Sequence, residues 1–203
     1  MKRLACFAGA MSLAVQADAF AADPRYPDWP CPQIKVSEIS ITAAWSGPSI
    51  ERVDRAWESD PKVRELVARL ALRRVPIEEG EKAIADFITG DAAAKADKAK
   101  VLFVGLFDTM NAQRGEVMSG IERFTRRQRE FADRIRDNTL KLRELEHAAL
   151  RDQAKIDELS NQLVWDTRIF EDRRKSTRYV CEVPTTIERR LFALGRAIQQ
   201  ALE

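Results

Sequence analysis

Histidine occurs once, at His147, and the eight glycines are scattered singly. Scattered glycines exclude a Gly-rich phosphate loop or dinucleotide fingerprint. Glu144 and His147 make one Glu-x-x-His pair at helical spacing. A carboxylate-bridged di-metal bundle needs a second such pair, and there is no second histidine to supply it. A Ser-His-Asp or Cys-His nucleophile would depend on the same residue, on a charged helix that offers no sheltered pocket. The expectation is a protein that is not an enzyme, with no catalytic residues, no metal and no cofactor.

Cysteine is also scarce, at three, with no Cys-x-x-Cys redox pair and no Cys-x-x-Cys-His for covalent haem. Long apolar runs are absent: Leu4–Val15 and Val101–Phe107 are both too short to span a bilayer. An excess of one charge is missing too, the formal net charge being +2. Acids and bases are interleaved, which argues against a nucleic-acid partner.

The N-terminus carries the compartment signal. Lys2 and Arg3 precede the apolar stretch, and Ala17-Asp18-Ala19 or Ala19-Phe20-Ala21 forms a small-x-small site. This pattern predicts a secretory signal peptide over residues 1–21, and its shortness favours export to the bacterial periplasm. Cys6 does not fit a lipoprotein site, because it precedes most of the apolar stretch and Arg3 stands where a lipobox wants Leu. Cleavage leaves 32 basic against 31 acidic side chains, and two cysteines, Cys31 and Cys181. In an oxidising compartment such a pair predicts a disulfide. Closing a loop of this size is worth about 5 kcal/mol in the chain-entropy model.

What the chain does have is a sustained apolar stride. Alternating steps of three and four from Phe103 to Phe170 land on fifteen apolar residues in twenty positions, amid dense charge. That is the seam of a coiled coil or long helical bundle. Ahead of it, residues 22–48 are proline-rich and predicted extended, with Trp29 beside Cys31 and packed over the disulfide or a neighbouring helix. Ile39–Trp45 reads equally as a short strand, a short helix or an extended wrap. Residues 49–91 predict three short head helices: one from Ser49 to Trp57, one capped by Asp60-Pro61, and one opened by Pro76 and ended at Gly90. Asp91 caps the long segment, whose all-round apolar start should be buried in that head.

No Gly or Pro occurs between Gly120 and Pro184. One straight helix would carry Cys181 far from Cys31, whereas a disulfide needs Cα atoms about 4.4–6.8 Å apart. The segment 92–180 is therefore predicted to fold back as a hairpin, with its tip at Asp137-Asn138-Thr139, where Asn tolerates the left-handed conformation. Gly115 and Gly120 are another break point, Asn138 could instead set register, and a straight helix in a dimer is the competing arrangement. Tyr179–Val183 reads as a connector. Pro184 then opens a C-terminal helix within 181–203, docked on the head near Trp57 or Trp165 through Ile187, Leu191, Leu194 and Ile198. The fold class is all-α: a small helical head with a long antiparallel coiled-coil-like hairpin, stapled by one disulfide.

The seam is interrupted by Gln128, Asn138, Asp152 and Asp166. A two-helix arm can leave its seam wet or pair Asp152 with an arginine across it. Alternatively, Phe124, Gln128, Phe131 and Asn138 form a surface for a partner helix. The basic runs at 123–129 and 172–178 read first as solvated faces. Arg173, Arg174, Lys175 and Arg178 are also the expected contact with a membrane surface. The function expected is an exported adaptor, assembly factor or holdase acting through protein contacts. The alternative is a small-molecule carrier, with Trp29, Trp45, Trp57, Phe103 and Phe107 lining an apolar pocket in the head.

Overall fold

A computed structural model describes residues 23–203 except 52 and 54, so the expected signal peptide lies outside the described residues. The described chain is all-α. Its helices are α1 (Ile41–Ala44), α2 (Pro61–Ala71), α3 (Ile77–Phe87), α4 (Ala92–His147) and α5 (Gln153–Gln200). Helices α4 and α5 form a long antiparallel hairpin, and the small elements gather around its open end.

Local chemistry sets the starts of these helices. The Asp60 carboxylate accepts hydrogen bonds from the Lys62 and Val63 amides ahead of Pro61, which fixes the first turn of α2. Asp91 does the same for α4 through the Ala94 amide. Gly90, just before it, has φ 118°, a conformation that favours glycine. The stretch 39–45 resolves into the one-turn helix α1. The helix expected from Ser49 to Trp57 shrinks to a 3-10 turn at Ala56–Glu58. Trp57 is drawn onto α4 instead: its indole N–H donates to Asp108, and its ring packs where Gly105 leaves no Cβ in the way.

The core lies in the head. Leu70, Ile84, Leu102, Phe103, Leu106, Met110, Leu191, Leu194 and Ile198 are completely buried there. The last turns of α5 thus dock through the apolar face expected for the C-terminal helix. Gly195 permits this approach, because a Cβ would lie 2.9 Å from the Ala44 carbonyl oxygen. Arg114 is almost fully buried at the edge of this core, ion-paired with Glu188 at 2.5 Å and donating to the Ser37 carbonyl.

Two boundaries differ from expectation. The hairpin does not turn at 137–139: α4 runs straight through Asn138, and the turn falls at 148–152. Asn138 stays half-buried on the seam, and the Thr139 hydroxyl donates back to the Ile135 carbonyl inside the helix. Asp152 is the N-cap of α5, accepting from the Lys155 amide. Pro184 does not start a helix either. It sits buried inside α5, which continues from 153 to 200. An interior proline removes one helical hydrogen bond and costs about 3 kcal/mol, and the flanking burial of Cys181, Ile187 and Leu191 offsets that. Once 181–200 counts as part of the second arm, the hairpin's midpoint moves close to the observed turn.

The expected disulfide joins Cys31 to Cys181, with Cα atoms 5.5 Å apart. It lies outside the head core, in a second apolar cluster with Trp29, Met118 and Ile121. Residues 23–36 therefore form a strap laid across the base of the arm. Beyond the disulfide the two helices project about 40 Å further at 1.5 Å per residue.

Candidate functional site

The strap, α4 and α5 enclose a cleft of about 820 Å³ at the base of the arm. Phe124 and Gln128 of α4 and Phe170 and Cys181 of α5 line it, and Pro30 and Pro32 of the strap cross it beside Cys181. The strap is held firmly. Gln33 donates its side-chain amide to the Cys181 carbonyl, and the Trp29 indole N–H donates to the Gln33 carbonyl at 2.8 Å. Asp28 pairs with Arg126 at 2.8 Å and with Arg129 at 2.6 Å. The hydrogen bond from Arg126, followed by the charges of both arginines, holds the Asp28 carboxyl below its ordinary range. Part of the basic run at 123–129 thus anchors the strap rather than merely facing solvent.

The rim of the cleft on α5 is cationic, with Arg174, Arg178 and Arg189 against one acid, Glu182. Arg174 pairs with Glu171 at 2.9 Å, while Arg178 and Arg189 form no ion pair among the described residues. Inside, the Gln128 side-chain oxygen is buried without a hydrogen-bond partner. The cleft thus combines an aromatic lining and positive charge.

The four residues expected to form a partner surface separate. Phe124 and Gln128 line the cleft. Phe131 is not exposed: it is 8% accessible, set edge-on to Phe170 and flanked by the guanidinium groups of Arg134 and Arg173. Asn138 lies half-buried in the seam. The five expected pocket residues do not share a cavity. Trp45 stacks on Phe103 at 4.4 Å, Phe103 lies 6.2 Å from Phe107, and Trp57 is tied to Asp108, all as packed core. Trp29 belongs to the disulfide cluster instead. The bulk that would have lined a pocket has filled it.

Trp165 is not at the head; it stands 61% exposed on the arm, beside Val164 and near Ile169. These apolar residues fall off the 3.5-residue stride, where a helix facing only its partner would carry polar side chains. That misplacement was the signal available in the sequence. His147 is exposed in the last turn of α4, and no group of three potential metal-ligating side chains occurs among the described residues. Among those residues no helix is long and apolar enough to cross a membrane.

Comparisons of the chain with protein-family models, curated proteins and solved structures find no match.

Proposed function

We propose that this is an exported, non-enzymatic protein of the bacterial periplasm that acts through protein–protein contact. The head serves as the folded base and the arm as the contacting element, in the manner of an adaptor or assembly factor. One observation carries this reading. Of the ten large apolar side chains that stand exposed among the described residues, seven lie between Leu140 and Val180, on the arm and its tip. Leu150 at the turn is 93% accessible, and Val164 and Trp165 are each more than half exposed. Apolar residues grouped on a projecting element, away from the core they could have joined, fit a surface that is covered by another chain. Export is supported by the N-terminal sequence pattern and by a disulfide of the kind that persists in oxidising compartments.

A photo-cross-linking amino acid placed at Trp165 and, separately, at exposed Arg73 in the head tests the reading in the native compartment. The expected result is a discrete protein adduct from position 165, lost when Val164 and Ile169 are changed to Glu, and none from position 73. Adducts from the head alone, or none from either site, would overturn it.

A further inference from the structure

The cleft beneath the strap is chemically distinct from the exposed face around Trp165, which does not line it. Its lining runs along α5 from Phe170 to Arg189, about 28 Å of helix at 1.5 Å per residue. A volume of about 820 Å³ drawn out over that length makes a narrow channel, in the size range of small-molecule sites. Its lining includes Phe124, Phe170 and the disulfide-bonded Cys181. Its rim carries three guanidinium groups against one carboxylate, and Arg174 and Arg178 stand one helical turn apart. The second cleft, between α2 and α3, behaves differently. There Lys62, Arg69 and Lys82 face Glu65, Glu79 and Asp86, and Arg69 is already paired with Glu79 at 2.7 Å. That cleft is charge-balanced, whereas the one under the strap keeps Arg178 and Arg189 against Glu182 even after Arg174 is paired with Glu171.

We propose that the cleft under the strap binds a monomeric single-chain amphipathic carboxylate. Arg178, with Arg174 beside it, holds the carboxylate. The chain lies along α5 over Cys181, past Pro30 and Pro32, toward Thr185. Charge complementarity favours the anion, and the narrow cross-section favours an extended chain over a bulky ring system. Glu182 lies on the strap side of Arg178 and would repel a carboxylate placed there, which sets the orientation. This inference is independent of the arm-contact reading: neither Val164 nor Trp165 takes part, so either proposal can fail alone.

Calorimetric titration of the whole oxidised chain with dodecanoate below its micelle concentration tests it, with dodecanol, dodecyltrimethylammonium and phosphatidylglycerol vesicles as parallel arms. One dodecanoate site is expected, with dodecanol and the cationic amphiphile weaker by about tenfold or more. Arg178→Glu should weaken dodecanoate by about tenfold, and Arg189→Glu, at the far end, by less than about threefold. Both positions are exposed, so both variants should retain the helical circular dichroism of the parent. Thr177→Trp, which fills the cleft without altering a charge, should abolish binding. Equal affinity for dodecanol, no loss in Arg178→Glu, or retained binding in Thr177→Trp would overturn the site. Binding to the vesicles without binding of monomeric dodecanoate would overturn it in favour of a membrane-surface contact.

Discussion

The head and the arm share two helices and one apolar stride, yet they are buried to different depths. In the head, α2, α3 and the strap-proximal segments add further layers, and nine large side chains along α2–α5 lose all contact with solvent. Past the disulfide, only Phe131 and Ile156 are buried, and both keep about a tenth of their surface. The stride itself continues without a fault: of its twenty positions, only Ala149 and Asp152 are exposed, and both lie at the turn. Seam periodicity therefore reports register, while burial depends on how many layers cover the seam. The arm is the less deeply covered part, and local stability should fall from head to tip.

The largest expected effect comes from the junction between the two regions. Replacing Cys31 and Cys181 by Ser opens a loop spanning 150 residues of sequence, and should cost about 2–5 kcal/mol in denaturant unfolding. The strap should become the first site of proteolysis, while hydrogen exchange in the head core changes least.

The next test compares one aromatic from each region. Phe103→Ala, in the completely buried core, should cost about 3–5 kcal/mol. Phe131→Ala should cost about 2 kcal/mol or less, because its ring lies on the two-helix arm against Phe170 and two flexible arginine side chains that can close over the gap or admit water. Equal costs would mean that the arm is as well packed as the head.

The smallest pair locates the tip. Asp152→Ala removes the cap of α5 and should lower the melting temperature by a few degrees. Asn138→Leu should raise it slightly by completing an apolar seam around a half-buried position. A turn at Asn138 would reverse both signs.

These residues also show what the sequence made legible. The stride, the caps at Asp60 and Asp91, the docking face of Ile187, Leu191, Leu194 and Ile198, and the disulfide were all readable, because each is a repeated or local pattern. The turn was not. Neither 137–139 nor 148–152 contains Gly or Pro, and Asp152 looks like a flaw in the seam until its cap hydrogen bond is seen. Pro184 misleads in the opposite direction: a residue that normally breaks helices is held inside α5 by the packing around it. Of the cleft, Phe124 and Gln128 stood out from the stride. Arg174 and Arg178 stood out only as part of a basic run and Arg189 not at all, because the rim acquires meaning only when a strap some 150 residues away in sequence is laid against it. The tryptophans were expected to make a pocket, but large apolar side chains that meet inside a multilayer head pack against one another first.

The fold-back of α4 on α5 is the central claim, and one distance tests it. Spin labels at exposed Arg134 and Thr167, measured by double electron–electron resonance in protein diluted with unlabelled chain, report the separation across the arm. Neighbouring helices with axes about 10 Å apart place the labels within about 25 Å of each other. A distance near 50 Å, the length of 33 residues in one continuous helix, would contradict the hairpin.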